Sequence, residues 1–418
     1  MIKYNIKPLP RYRLYTNLEK YFLFLKDILL HKINLGDDIF KFENEVKGLT
    51  AAPYAVAMPQ NRVGTYLTLK LLISPGSKVI MSPYTIHDVV NMVICAGGIP
   101  VFVDIDQKTC NLDLKLVEDH IDKDTSAILI THMLGLTMDI KRLADICKQK
   151  GIVLIEDVAQ AFGAVLNGKM AGTFGDAGIY SFGMYKNLNT FLGGMIITSR
   201  QDLFSKISDE IISYPVQNLG PLLKKVFLSF ITDVATYPPF FKLVVFDLFR
   251  YGFLKNVNFI NRRVSVENEA KCKLEIPLDY LCRMSPLQAR IGLQGLSGLQ
   301  SDNFARVAFA KKYHDGLNDI DELILPPLKE DLSHIYYYYP VQYKKRHDLI
   351  KHMMVKGCDV GEQHIKNCAD LECFEEFHRN CPNARSVSNE TILLPTYPRY
   401  SFDEVDRNVR AIRSFFKT

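Results

Sequence analysis

The chain has 418 residues, 48% of them hydrophobic and 23% charged, with a formal net charge of +5. That length holds two or three domains, each large enough to bury its own core, and the composition is that of a globular protein. The charge is small for the length and no long Lys/Arg run stands out, which argues against a nucleic-acid partner.

Residues 1–35 read as an arm followed by a helix. Tyr21 to Leu30 is apolar but broken by Lys26 and Asp27, the pattern of an amphipathic helix and not of a signal peptide. Tyr54 to Met58 reads as a strand, and Val63 to Leu72 as a helix after the turn Pro59-Gln60-Asn61-Arg62. Such a strand–turn–helix junction is an anion site, because the first helical N–H groups lack partners and point outward. Further short apolar runs, Val79–Met81, Pro100–Asp106 and Ala127–His132, alternate with helical stretches, which implies a mostly parallel sheet covered on both faces. His132 is expected to anchor a turn.

The segment Gly151 to Ser199 carries the chemistry. Ile152 to Ile155 reads as a buried strand whose end bears Glu156 and Asp157, the usual ligand position in an open α/β sheet. A second run, Ala177 to Phe182, contains Ser181, and Lys186 follows four residues after Phe182, before Gly193-Gly194 and a third run, Met195 to Thr198. An amine, a carboxylate and a hydroxyl at neighbouring strand ends are what a phosphorylated pyridine aldehyde requires. Glu156 to Ala164 satisfies E-D-x-A-Q-A-x-G-A, and Ser181 to Gly194 satisfies S-F-x-x-x-K-x-x-x-x-x-x-G-G without a gap. On these two motifs the chain resembles the DegT–DnrJ–StrS family of sugar aminotransferases, which use pyridoxal 5′-phosphate (PLP) on an aspartate-aminotransferase type of fold.

That resemblance implies roles for particular residues. Lys186 would hold the cofactor and then carry the substrate proton. Asp157 would face the pyridine nitrogen, Gln160 the ring's 3-oxygen, and Ser181 the phosphate. Most of the family places a Gly-Thr pair at the junction after the first strand; here the register favours Asn61-Arg62 over the nearby Gly64-Thr65, with the Arg62 guanidinium as a phosphate fork. Ile86 stands where the family usually stacks an aromatic ring on the pyridine. Two positions depart from the pattern: Leu192 replaces an acidic residue, and Leu281 replaces an Asn that reaches the neighbouring subunit's cofactor phosphate.

Residues 214–262 are rich in Phe, Leu and Val, interrupted by charges and split by Pro238-Pro239. No window approaches the roughly 20 apolar residues that span a bilayer. Two amphipathic helices are expected, suited to burial in the protein or a dimer, to a lipid surface, or to a substrate lid. Beyond them, Asp279 to Leu296 resembles the family's dimer motif. Ile335–Gln342, a helix near His347–Lys356, and the run from Leu394 through Phe416 read as a smaller α+β domain. The expected organisation is an arm (1–35), a PLP-binding large domain (36–213), the apolar insert (214–262), and the dimer motif with the small domain (263–418).

Nine scattered Cys suit a reducing cytoplasm. Cys358, Cys368, Cys373 and Cys381 lie near His364 and His378, but the close Cys pairs that nucleate a zinc site are missing, so free thiols and no metal are expected. The expected activity is a fold type I, PLP-dependent transfer of an amino group from a donor such as glutamate to a nucleotide-linked keto sugar, by a homodimer in the cytoplasm, with peripheral membrane contact through the insert as an option. The alternatives are a PLP-fold protein that no longer turns over, or a PLP-dependent sugar dehydratase; in relatives with that chemistry His replaces the lysine, so Lys186 argues against it.

Overall fold

The computed structural model describes residues 8–255 and 270–417. Residues 1–7 of the expected arm and 256–262 of the expected insert lie outside the described residues.

The Val/Ile/Leu-rich runs assemble into a seven-stranded sheet, because strands apolar on both faces are stable only when covered on both. From edge to edge its order is Tyr54–Met58, Gly194–Thr198, Ala177–Ser181, Val153–Asp157, Thr125–Thr131, Lys78–Met81 and Ile99–Phe102. Five strands run parallel; Gly194–Thr198 is antiparallel to both of its neighbours. Register pairs Thr131 with Asp157, Asp157 with Ile179, and Gly194 with both Ser181 and Met58. One end of the sheet therefore collects Asp157, Ser181, Gly194 and the start of the helix that follows Met58.

Side chains alternate across the sheet with period two. Tyr180 faces a core with Phe42, Phe162 and Phe182, whereas its neighbour Ile179 faces another with Val63, Leu67 and Val90. A third core lies under the helix Lys141–Lys150. The small domain is a three-stranded antiparallel sheet, Tyr339–Gln342, Thr391–Leu394 and Gly361–Glu362, covered by helices that include Arg346–Val355 and Phe402–Phe416. Ser401 caps the last of these by accepting from the Glu404 N–H.

Three expected boundaries move. The helix expected from Val63 starts at Asn61, so Asn61 and Arg62 are its first two residues. The strand expected over Pro100–Asp106 ends at Phe102; beyond it, Asp104 accepts the backbone N–H groups of Asn383 and Ala384 at the start of the helix Pro382–Glu390. The strand expected over Ile335–Gln342 is only Tyr339–Gln342. Tyr336 has φ +44, and the segment before the strand instead bonds the large domain, Ile335 N–H to Gly135 O and Tyr337 N–H to Leu134 O.

The insert folds as two helical arms, Leu219–Ala235 and a continuous run from Pro238 to Leu254 that includes a π-turn over Phe241–Val245. Pro238-Pro239 divides them, as expected. Their inner faces are buried: Leu222 and Val226 pack with Tyr21, Phe24 and Phe191, while Phe241 and Phe246 join the main core. Cys358, Cys368 and Cys381 are buried thiols outside any disulfide, and burial pushes Cys358 and Cys381 up to about 12. Among the described residues no group of three or more His, Cys, Asp or Glu side chains is arranged to hold a metal.

Candidate active site

Asp157 ends the buried strand Val153–Asp157, and its carboxylate is held from one side only. Oδ1 accepts from the Ala159 N–H at 3.0 Å and from Asn61 Nδ2 at 3.2 Å. Among the described residues no donor reaches Oδ2. Burial pushes the Asp157 carboxyl above its ordinary value, opposed by the Ala159 N–H, Lys186 and Asn61. Its neighbour Glu156 points to the other face and is fully spent: it accepts from the N–H groups of Gly172, Phe174 and Gly175 and pairs with His132 Nε2 at 2.8 Å. Because His132 Nδ1 accepts the Met138 N–H at 3.1 Å, Nε2 is the protonated nitrogen that donates to Glu156. His132 thus anchors the turn, as expected.

Lys186 sits on a loop that ties itself down. Its own N–H bonds Gly183 O, Asn189 bridges Met184 O and the Phe191 N–H, and Thr190 Oγ1 donates to Leu192 O. Gln288 Nε2 closes the loop on Leu192 O at 2.5 Å. Phe191 (φ +67) and Gly193 (φ +151) make the reversal; at Gly194 a Cβ would stand 2.7 Å from Asn61 N, so only glycine lets the helix start approach the strand. The Lys186 ammonium lies over the Tyr337 ring, 5.5 Å from its centroid, and makes no ion pair among the described residues. Burial lowers its pKa to about 8, against the pull of Asp157 and with a further push from Arg62. A lysine so poised is part amine near neutral pH, the form that attacks a carbonyl.

The other sequence-derived residues surround this pair. Gln160 Oε1 accepts the Leu134 N–H at 2.9 Å, which leaves the amide's NH2 end as the donor for a ligand. Ser181 is half-buried at its strand end. Ile86 immediately precedes the helix His87–Cys95 and packs half-buried against the second core. Arg62 is already engaged: one terminal nitrogen contacts Asp88 and lies 3.1 Å from the Tyr280 hydroxyl, and the guanidinium stacks over that ring at 5.3 Å. Leu281, beside Tyr280, is a half-buried apolar residue of the same wall.

Residue reasoning missed Tyr337, Arg306, Asp88 and Tyr280. Arg306 is buried against the same aromatic neighbour of the lysine, its guanidinium 5.5 Å from the Tyr337 centroid and bonded to Tyr337 O at 2.8 Å. The only local signal was the four-tyrosine run at 336–339, which reads as strand. The donor set nevertheless fits PLP: a buried carboxylate with one oxygen open, a half-buried amine with no ion pair among the described residues, an amide donor, a hydroxyl, and the N-terminus of a 12-residue helix at Asn61.

The sequence pattern of the DegT/DnrJ/EryC1/StrS aminotransferase family matches residues 24–218 and 254–413. Among curated relatives, the spore coat polysaccharide biosynthesis protein SpsC of Bacillus subtilis is 27% identical over 92% of this chain and 91% of its own length. GDP-perosamine synthase of Escherichia coli O157:H7 is 34% identical over 41% of this chain and 47% of its own. The solved structure of an aminotransferase from Psychrobacter cryohalolentis superposes with a TM-score of 0.77 at 20% identity, covering 98% of this chain and 99% of that one. GDP-4-keto-6-deoxy-D-mannose-3-dehydratase of E. coli has the same fold, with a TM-score of 0.75 at 18% identity over 97% of this chain and all of that one.

Proposed function

The chain belongs to the DegT/DnrJ/EryC1/StrS aminotransferase family, PLP-dependent enzymes of sugar metabolism, and we propose that it moves an amino group from an amino acid such as glutamate to a nucleotide-linked keto sugar. The observation that carries this is the Lys186–Asp157 pair: an amine lowered to about 8 faces the end of a strand whose carboxylate keeps one oxygen open. PLP, when bound, supplies the electron sink and carries the amino group between the two substrates. Everything else falls to the chain.

Lys186 would hold the cofactor between substrates, and its amine would take the proton from the donor's Cα and return one to the acceptor carbon. Asp157 would accept from the ring nitrogen and keep that nitrogen cationic. Gln160 would donate to the ring oxygen. Ser181, Asn61 and Arg62 would hold the phosphate near the helix start, and Ile86 would cover a ring face. Tyr337 shields the lysine from solvent. The amino sugar so made would supply a cell-surface polysaccharide or a secondary metabolite, in keeping with the polysaccharide role in the name of the B. subtilis relative.

The enzyme acts as a homodimer on this proposal. Its support is the Asp279–Leu296 dimer motif and the apolar side chains just before it, Leu274 and Leu278, which are 77% and 84% exposed in the single chain. Light scattering at micromolar concentration should give twice the chain mass. A screen of amino donors against nucleotide-linked keto sugars, read by mass spectrometry, tests the reaction. The expected product gains an amino group. A product that has instead lost water would assign the chain to the dehydratases, and loss of activity in Lys186→Ala is required of either.

A further inference from the structure

We infer that the insert is a docking element for an anionic lipid surface, a property outside the sugar chemistry. The family pattern stops at residue 218 and resumes at 254, so the helices between are an addition to the aminotransferase framework. They are apolar on two sides. In Leu219–Ala235 one face, with Leu222 and Val226, is buried against the protein. A second stripe, Leu223, Phe227, Phe230, Ile231 and Val234, repeats at helical spacing on the outside, each residue 41–66% exposed.

The neighbouring helix Leu18–Leu29 repeats the arrangement. Leu18, Phe22, Leu25 and Leu29, spaced by four, three and four, are 54–78% exposed. The two helices are locked side by side: the Tyr21 and Phe230 rings meet at 5.5 Å, and the Tyr21 hydroxyl donates to Asp233 at 2.7 Å. The second arm adds exposed Leu243, Val244 and Leu248 above its own buried Phe241 and Phe246. Of 29 large hydrophobic residues exposed among the described residues, 12 fall within 219–255. A single stripe this size marks an interaction surface, because monomers rarely leave such area in water.

Charge selects the occupant. Residues 219–255 carry five basic side chains, Lys224, Lys225, Lys242, Arg250 and Lys255, against Asp233 and Asp247. Asp233 Oδ2 accepts from the hydroxyls of Thr16 and Tyr21, which holds this carboxylate against the arm and not on the outer stripe. The exposed lysines Lys224 and Lys255 beside the Phe/Leu stripe complement a bilayer with acidic headgroups, whereas a two-fold contact with a second copy would bring like charges together. Among the described residues no helix is long and apolar enough to cross a membrane, so the arms lie in its surface.

The full-length PLP-loaded protein should co-sediment with vesicles of phosphatidylcholine mixed with phosphatidylglycerol, about tenfold more strongly than with phosphatidylcholine alone, and less as salt rises. Phe227→Ser/Ile231→Ser should weaken vesicle binding about tenfold or more. Lys224→Glu/Lys255→Glu should remove the preference for the acidic lipid. Both variants should keep the visible cofactor band and the half-reaction with the amino donor, so the outcome is independent of the substrate assignment. Failure of the unaltered protein to sediment with either vesicle overturns the proposal. So does a Phe227→Ser/Ile231→Ser variant that keeps its vesicle affinity but halves the mass seen by light scattering, which would make the stripe a contact between copies.

Discussion

Asn61 Nδ2 donates to Asp157 Oδ1 at 3.2 Å, so the first residue of a helix orients the carboxylate at the end of a strand 96 residues later. The same amide also reaches Ile179 O at 3.2 Å. Asn61 is therefore expected to act on the cofactor through Asp157 as well as through the helix N-terminus. Asn61→Ala removes one of the two donors on Oδ1, and Asp157, already raised by burial, should move further up. Loss of a hydrogen bond to a charged group is worth about 1.5 kcal/mol, so PLP affinity should fall about tenfold in an equilibrium titration. Asn61→Asp should be worse, since it sets a second carboxylate against the first.

The cofactor-free protein should show the lysine's lowered pKa directly. Burial disfavours the charged form, so the Lys186 amine fraction rises with pH through about 8 and is complete above it. The rate at which the visible cofactor band forms should therefore climb from pH 6.5 and level off about one unit above the midpoint, with Lys186→Ala giving no band. A climb that continues towards the ordinary lysine value would show an exposed amine. Because the unfolded chain binds this proton up to the ordinary lysine value of 10.5 and the folded chain releases it near 8, the group's contribution to stability increases with pH between those limits.

Glu156 and Asp157 are adjacent and should fail in opposite ways. Glu156 takes three backbone N–H groups and the His132 ring, and touches nothing at the lysine. Glu156→Gln leaves at least one of those donors facing an NH2 group, and should cost roughly 1.5–3 kcal/mol of stability. Thermal unfolding should show a lowered Tm with the cofactor band retained. Asp157→Asn should leave the Tm of the cofactor-free protein within a degree or two but reduce turnover severely, because a neutral amide cannot keep the ring nitrogen protonated.

The parts of this site that rest on local pattern were legible in the sequence. Apolar runs ending in Asp157 and Ser181, and the gap-free spacing to Lys186 and Gly193-Gly194, are properties of neighbouring residues, and so are the strands and the loop they form. Tyr337 was not legible. Its place over Lys186 depends on residues 335–338 crossing back to the large domain, a crossing made by Tyr336 at positive φ and by backbone bonds to Leu134 and Gly135. The partners of Arg62 were hidden for the same reason, since Asp88 and Tyr280 lie 26 and 218 residues away. Helical periodicity located the insert's arms, but which face is buried follows only from the packing of Tyr21, Phe24 and Phe191 against Leu222 and Val226.

Arg62 bears on the leucine at 281. With no Asn there to reach a phosphate, the site is short of one donor, and an unpaired phosphate oxygen in a partly dry site costs about 1–3 kcal/mol. Arg62 is the second residue of the helix, where its charge adds to the positive end of the dipole. One terminal nitrogen is committed to Asp88 and the Tyr280 hydroxyl, which fixes the guanidinium and leaves its remaining N–H groups for the phosphate. Asp88 is shared with Lys273 Nζ at 2.6 Å, so one carboxylate faces two cations and does not fully offset the charge of Arg62; the pairing should orient the arginine more than it consumes it. The side chain is 34% exposed, which keeps the expected effect at the low end. Arg62→Ala should weaken PLP retention about tenfold. Arg62→Lys should recover only part of that, because a single ammonium cannot hold Asp88 and a phosphate oxygen in the geometry of a planar fork. Titration of the two variants decides the role: unchanged cofactor affinity together with a raised KM for the keto-sugar acceptor would move Arg62 out of the cofactor site and into the substrate's.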